Sequence, residues 1–208
     1  MKPLNLTDKK ILHIKIPKNA THSINNVLID KDCWKREYFF GHDPLYALEK
    51  NNTIDESTFI FCVSRNPYTR FFSNYRQLLK IEPNYKEKTL LDFKKDIETN
   101  NLINFISDIR KQELNFLFIE KQVTYIKSNT NTPINKIYNL ENIFEFENDF
   151  KVKLNFLNKS NYNISQYKKL YNREIVNFVK EYYEKDFLFF NYDFDFDKSI
   201  SFRYSYDN

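Results

Sequence analysis

Two polar loops follow short apolar runs, and each carries a cationic side chain suited to binding a phosphate group. The first loop, residues 16–23, contains Lys18, and the second contains Arg65, with Ser73 eight positions later. A lysine, a guanidinium group and the backbone N–H groups at a helix start all donate hydrogen bonds to anions. The two loops therefore predict two anion sites, although a solvated lysine and an arginine closing the sheet edge would explain each loop taken alone.

The flanking patterns predict that each loop joins a strand to a helix. The apolar runs 11–16 and 58–63 have strand length, the residues after each loop recur at helical spacing, and Pro67 suits the first turn of the second helix. Ligands of open parallel sheets bind at the carboxyl ends of the strands. Because 208 residues is the size of one domain, we expect a single α/β domain over residues 1–208. Its expected fold is P-loop-like, with three layers and a central parallel sheet flanked by helices.

Further elements are predicted between and beyond the loops. Strands are expected at 38–40 and 136–138, and helices at 90–98, 113–123, 143–151 and 173–184. The aromatic and charged tail from residue 194 onward receives no assignment.

The composition excludes some classes of nucleotide site. Gly41 is the single glycine, so neither a Rossmann GxGxxG motif nor a Walker A GxxxxGK[ST] motif is present. The net charge of +4 does not by itself indicate a nucleic-acid partner. Cys33 and Cys62 form no pattern typical of a disulfide framework or a zinc site. No apolar run has the length of a signal sequence or a membrane span, and we expect a cytoplasmic protein.

The first loop resembles the phosphosulfate-binding loop of Golgi-type carbohydrate sulfotransferases and their bacterial relatives. Residues 12–24 read LHIKIPKNATHSI, and the family pattern runs roughly H-I-P-K-T-A-G-T-S. The resemblance implies that Lys18 contacts the 5′-phosphosulfate of the donor 3′-phosphoadenosine 5′-phosphosulfate (PAPS), and that Ser23 supplies the closing hydroxyl. It also assigns to the donor site the three residues that depart from the pattern, which are Asn19, Thr21 and His22.

The second loop resembles the 3′-phosphate motif of the same family, R-N-P-[YW]-x-R-x-x-S-x-Y. Residues 65–75 read RNPYTRFFSNY and preserve the spacing from arginine to serine. The resemblance implies that Arg65 and Ser73 hold the 3′-phosphate of the donor. It continues through 122–126 and 158–194, where it assigns Ser160 a place over the nucleotide. In all it covers about residues 10–196, the expected core of the domain.

The implied chemistry needs a general base, and the sequence offers three histidines. His42 follows the strand predicted at 38–40, where relatives commonly carry a histidine facing the acceptor, and a histidine titrates near neutral pH. His13 lies within a predicted strand and is interpreted as a core residue. Two alternatives stay open, namely that His42 is a turn residue capping a helix that begins at Asp43, and that Glu141, in a segment resembling the family's F-E-N-L, is the base.

The resemblance implies a PAPS-dependent sulfotransferase that moves a sulfuryl group to a hydroxyl or amine of an acceptor, with a carbohydrate as the expected acceptor class. Lys18 and His42 would be its catalytic residues, PAPS its co-substrate, and no metal would be needed. We expect a carbohydrate or small-molecule acceptor and no nucleic-acid partner. One alternative is a P-loop-type nucleotide kinase, which the missing Walker A motif disfavours. The other is a non-catalytic carbohydrate- or nucleic-acid-binding domain that uses its aromatic side chains for stacking.

Overall fold

The computed structural model describes residues 4, 9–29, 41–50, 54–81, 99–111, 117–155 and 164–201. These residues form two compact units, each assembled from separate stretches of the chain. The sheet unit contains the described residues up to Arg65 together with 121–155, and the helical unit contains those within 66–120 together with 164–201. Each unit has its own hydrophobic core.

Among the described residues, three parallel strands form a sheet, in the order β1-β2-β3. They span Lys10–Ile14 (β1), Thr58–Ser64 (β2) and Lys136–Asn139 (β3). In the register of the sheet, Ile11 pairs with Phe59 and Val63 pairs with Tyr138. Every residue of β2 is buried, as is typical of a central strand in a parallel sheet that is covered on both faces. The strands predicted at these three positions are confirmed.

Ten α-helices lie within the described residues. In chain order they are Thr21–Ile29 (α1), Leu45–Lys50 (α2), Pro67–Ile81 (α3), Thr99–Arg110 (α4), Gln122–Ile126 (α5), Phe144–Phe150 (α6), Ile164–Leu170 (α7), Arg173–Tyr182 (α8), Glu184–Phe190 (α9) and Phe196–Ile200 (α10). Helices α1, α2, α5 and α6 belong to the sheet unit, and the other six belong to the helical unit. The helices predicted after the two loops and at 143–151 are confirmed.

The core of the sheet unit joins the strands to α1 and α6. Ile24 and Leu28 of α1 are fully buried in the same cluster as Phe61 of β2. The ring centroid of Phe61 lies 5.7 Å from that of Phe146 and 5.1 Å from that of Phe150, both on α6. Residues one helical turn apart share a face, so the predicted apolar stripe anchors α1 in this core. The loop that precedes α1 is thereby fixed at the carboxyl edge of the sheet.

Aromatic side chains fill the core of the helical unit. Tyr68, Phe71 and Phe72 of α3 are fully buried there, and Tyr68 meets Phe187 of α9 edge to face with ring centroids 5.1 Å apart. At the start of α3, the side chain of Asn66 accepts a 2.9 Å hydrogen bond from the backbone N–H of Tyr68. This bond satisfies one of the N–H groups that a helix start leaves without a partner, and proline at the first helical position needs none.

Two predicted helices are wrong in their extent. Within the helix predicted at 113–123, the described residues form a 3₁₀ turn at Leu117–Ile119 and then a new helix from Gln122. The helix predicted at 173–184 ends at Tyr182 because Tyr183 leaves helical geometry, with φ −105° and ψ 20°. The strand predicted at 38–40 and the helix predicted at 90–98 lie outside the described residues.

The fold is α/β, and the part of the sheet that the structure describes is parallel with three strands, which agrees with the predicted class. Within the part of the chain that the structure describes, no helix combines the length and the apolar character needed to cross a membrane.

Candidate functional site

Residues 15–20, here called the lysine loop, connect β1 to α1 through a backbone conformation that is uncommon for residues with a side chain. Lys18 and Ala20 have positive φ angles of 69° and 59°. Left-handed geometry costs about 1–2 kcal/mol for such a residue and persists only where surrounding contacts impose it. Alternation of backbone hand turns N–H groups toward one concave side, which favours an anion. Positive φ at alternate residues is a feature of anion-binding turns, and the lysine loop has it without using glycine.

Gln122, the first residue of α5, is fully buried and connects the lysine loop to Arg65. Its Oε1 accepts a 2.7 Å hydrogen bond from Asn19 Nδ2 and a 2.9 Å bond from the backbone N–H of Arg65. Its Nε2 donates to the backbone carbonyl of Arg65 at 2.8 Å. Asn19 Nδ2 also donates to the carbonyl of Val63 at 2.6 Å. One side-chain amide thus holds the lysine loop and the end of β2 together.

A direct hydrogen bond completes this junction. The guanidinium Nη1 of Arg65 donates to the backbone carbonyl of Lys18 at 2.9 Å. Both residues follow parallel strands, β1 and β2, whose carboxyl ends meet at the same edge of the sheet. The cationic residues of the two predicted anion loops therefore lie side by side in the sheet unit.

His42 is half-buried and oriented by the end of β1. Its Nδ1 lies 2.7 Å from the carbonyl oxygen of Lys15. A carbonyl oxygen can only accept a hydrogen bond, so Nδ1 must carry a proton and donate it. In the neutral ring the basic nitrogen is then Nε2. The contact gives His42 the tautomer that a general base acting through Nε2 requires.

The other residues predicted for the first loop differ in what their side chains offer. Asn19 directs both amide protons to protein acceptors, and Thr21 donates its hydroxyl proton to the carbonyl of Ile16 at 3.2 Å. Any anion contact from these two residues would therefore come from the backbone. His22 is exposed and Ser23 is buried, both in the first turn of α1.

The two other serines predicted to bind the nucleotide, Ser73 and Ser160, do not belong to the first loop. Ser73 is half-buried on α3 and belongs to the helical unit, whereas Arg65 belongs to the sheet unit. Their joint contact with a 3′-phosphate stays a prediction. Ser160 lies outside the described residues.

Three other titratable groups near this edge have perturbed pKa values because they are buried. His13 is stacked on Phe61 with ring centroids 4.7 Å apart, and burial lowers its pKa to about 3. The interpretation of His13 as a core residue is confirmed. Burial also lowers the pKa of Lys15, against the opposing effect of Asp43. The Cys62 thiol in β2 is buried, which raises its pKa and keeps it protonated.

Glu141, the alternative base, is half-buried in the 3₁₀ turn Leu140–Asn142 directly after β3. It therefore also lies at the carboxyl edge of the sheet, and the choice between it and His42 stays open to experiment. Across the described residues, no three His, Cys, Asp or Glu side chains form a group that could hold a metal ion.

Gln122 carries no motif that would mark it as a site residue in the sequence. The only signal was its position at the start of the stretch 122–126, over which the resemblance to sulfotransferases continues. No spacing pattern in the sequence predicts which groups a glutamine at the start of a short helix will bond to. Its role becomes visible only when three hydrogen bonds are seen to converge on one amide.

Comparison with known proteins does not assign this chain to a family. No family model and no solved structure matches it. Among curated proteins it is similar to the DNA-directed RNA polymerase subunit beta' of Tetradesmus obliquus, with 26% identity over 219 aligned positions that include 98% of this chain. The chain spans about 14% of the length of that subunit.

Proposed function

We propose that this protein is a sulfotransferase that takes a sulfuryl group from PAPS. The observation that carries the proposal is the hydrogen bond from Arg65 to the carbonyl of Lys18, which joins two phosphate-type loops at the carboxyl edge of a parallel sheet. PAPS presents two anionic groups, a 5′-phosphosulfate and a 3′-phosphate, on one nucleoside. A lysine point charge suits the first group, and an arginine fork suits the second.

In the proposed reaction, an acceptor oxygen or nitrogen attacks the sulfur in line with the leaving phosphate oxygen. The bond from sulfur to that phosphate oxygen breaks while the bond to the acceptor forms, and adenosine 3′,5′-bisphosphate leaves. Nε2 of His42 takes the acceptor proton. The ammonium group of Lys18 stabilises the negative charge that grows on the leaving phosphate. Positioning and electrostatic stabilisation supply most of the catalysis in such transfers.

The proposed fold is the P-loop-like arrangement expected from the sequence, in which the turn after β1 cradles a phosphate. The positive φ angles of Lys18 and Ala20 support this reading, since they bend the loop as an anion-binding turn requires. The acceptor class proposed is a carbohydrate, on the resemblance alone.

The oriented His42 favours an enzyme over a non-catalytic binding domain. A binding domain that stacks its ligand on aromatic rings needs no imidazole with a fixed tautomer beside a lysine loop. A His42→Gln variant should therefore bind adenosine 3′,5′-bisphosphate within twofold of the wild type, and should lose release of that product from PAPS in the presence of an acceptor.

Calorimetric titration of adenosine 3′,5′-bisphosphate without metal tests the proposal. We expect the wild type to bind, and Lys18→Ala and Arg65→Ala each to weaken binding at least tenfold, about 1.4 kcal/mol. Arg65→Lys should also weaken binding, because it keeps the charge and loses the planar fork. Exposed residues of the helical unit supply matched controls, Lys185→Ala and Arg173→Ala, which should bind as the wild type does.

Absence of wild-type binding, in protein shown to be folded by circular dichroism, would contradict the proposal and leave the binding-domain interpretation as the better one. Equal losses in the control variants would show that net charge, rather than the two loops, attracts the nucleotide.

A further inference from the structure

We propose that Gln122 and Asn19 form a positioning pair that fixes the separation between the two phosphate subsites at Lys18 and Arg65. This inference rests on the proposed function, which assigns the donor's 5′-phosphosulfate to Lys18 and its 3′-phosphate to Arg65. Neither member of the pair needs to touch the nucleotide. Their role is to let one ligand engage both subsites at once.

The contact between Gln122 and Arg65 is a two-bond clamp. Oε1 of Gln122 accepts from the backbone N–H of Arg65 at 2.9 Å, and Nε2 donates to the backbone carbonyl of the same residue at 2.8 Å. A single amide that bonds both backbone groups of one residue fixes the orientation of that residue. The clamp therefore sets the direction in which the Arg65 side chain leaves the end of β2.

The contact between Gln122 and Asn19 carries this constraint into the lysine loop. Asn19 Nδ2 donates to Gln122 Oε1 at 2.7 Å and to the carbonyl of Val63 at 2.6 Å. Both protons of this amide are thus committed, one to β2 and one to α5. Because Asn19 is the neighbour of Lys18 and lies between two left-handed residues, it fixes the loop where its backbone is most strained.

Burial makes these bonds rigid. Gln122 has no exposed surface and Asn19 is 1% exposed, so water does not compete for the shared amides. Asn19 Oδ1 is buried and has no hydrogen-bond partner among the described residues. A buried acceptor without a donor is costly, and its presence indicates that the amide is oriented by its two donor contacts. The unsatisfied oxygen lowers the stability of the fold, while the two donor contacts fix the orientation of the Asn19 amide.

A ligand with two linked phosphates gains most from fixed subsites. When both subsites are held at the right separation, binding at one makes binding at the other an intramolecular event. A ligand with one phosphate gains nothing from this separation. The pair should therefore matter for a nucleoside bisphosphate and matter little for either monophosphate.

Calorimetric titration of three nucleotides into the full chain separates positioning from simple loss of fold. The ligands are adenosine 3′,5′-bisphosphate, adenosine 5′-monophosphate and adenosine 3′-monophosphate, and the variants are Gln122→Met and Asn19→Leu, which keeps the size of the buried side chain and removes its donor. In each variant we expect the bisphosphate to bind at least tenfold more weakly and each monophosphate to change by less than threefold. Gln166→Met, a half-buried glutamine of the helical unit, is the matched control and should change none of the three affinities.

The outcomes distinguish this inference from the proposed function. If the wild type binds the bisphosphate and both variants lose affinity for all three nucleotides by the same factor, or lose none, the positioning role is wrong and the proposed function stands. If the wild type binds none of the nucleotides, the proposed function and the inference both fall. Should Gln122→Met not fold, Asn19→Leu breaks the same bond from the other side and decides the question.

Discussion

Both units bury polar side chains that bond to the backbone, but the residues around these groups differ. In the sheet unit, the amides of Asn19 and Gln122 bond to each other and to the backbone beside two cationic residues. In the helical unit, three tyrosine hydroxyls donate to backbone carbonyls. These bonds are Tyr68 to Phe194 at 2.7 Å, Tyr171 to Tyr68 at 2.6 Å and Tyr183 to Ile119 at 2.9 Å.

Burial of a polar side chain does not by itself identify a ligand-binding site. A tyrosine hydroxyl on a carbonyl oxygen satisfies a group that would otherwise lose free energy in an apolar core. The amides of the sheet unit satisfy backbone groups too, but those groups belong to the residues that carry or adjoin the positive charges. The residues next to a buried polar group therefore indicate its role. A group in an apolar core contributes to stability, whereas a group beside cationic residues is a candidate for a role in binding.

Removal of one ring from each core tests whether the two units contribute equally to stability, and it should give the largest effects. Phe61→Ala in the sheet unit and Phe187→Ala in the helical unit each truncate a fully buried ring. Each should lower the free energy of unfolding by about 3–5 kcal/mol, measured by urea denaturation. Phe144→Ala, whose ring is exposed, should change it by less than about 0.5 kcal/mol. A large loss of unfolding free energy in only one of the two variants would show that the units do not contribute equally to stability.

His13 gives the sheet unit a pH dependence that can be removed. Burial lowers its folded-state pKa from 6.5 to about 3, so the unfolded chain holds more protons between these pH values. Stability therefore falls as the pH is lowered through this window, by about 1.4 kcal/mol per pH unit from this group. His13→Phe keeps a ring to stack on Phe61 and removes the titration. Between pH 6.5 and pH 5 it should lose about 2 kcal/mol less than the wild type; parallel curves would contradict this.

The tyrosine contacts of the helical unit should affect stability alone. Tyr171→Phe removes a buried hydroxyl and leaves the carbonyl of Tyr68 without that donor, so the free energy of unfolding should fall by about 1–2 kcal/mol. Affinity for adenosine 3′,5′-bisphosphate should stay within twofold. Tyr46→Phe, on the half-buried face of α2, is the control and should cost less. A tenfold loss of nucleotide affinity in Tyr171→Phe would overturn the division between the units.

The strained lysine loop should give the smallest effect and one of opposite sign. Ala20 has a φ of 59°, which glycine adopts without penalty, so Ala20→Gly should raise the free energy of unfolding by about 0.5–1 kcal/mol. Ala47→Gly, inside helix α2, should lower it by a similar amount, about 0.5–1 kcal/mol. Thermal unfolding of both variants measures the two changes in stability. If both variants lose the same amount of unfolding free energy, the backbone at Ala20 is not strained.

The strands and the helices beside the loops were predictable because their signals are local. An apolar run of strand length followed by proline and polar residues marks β1 and β2, and burial on both faces explains why β2 is apolar throughout. Helix α4 was missed although its apolar residues do recur at helical spacing, at Leu102, Phe105, Ile106 and Ile109. The break at Tyr183 was missed because apolar periodicity continues through it.

The candidate site was predictable only in its charged residues. Lys18 and Arg65 follow strands β1 and β2, His42 follows a segment predicted to be a strand, and their types and places in the sequence suggested all three. The contacts that hold them were not predictable, because Gln122 lies 57 positions from Arg65 and 103 from Asn19. The tautomer of His42 likewise depends on a backbone carbonyl, that of Lys15, which no sequence pattern specifies.

The interleaving of the two units along the chain has a consequence during synthesis. Strand β2 pairs with β3 through contacts such as Val63 with Tyr138, and helices α3 and α4 are made between them. Parallel pairing over such separations forms slowly, and an apolar strand with an open edge invites aggregation. Thr58–Ser64 therefore emerges from the ribosome well before β3, and one edge of this apolar strand lacks its native partner until residues 136–139 have been made.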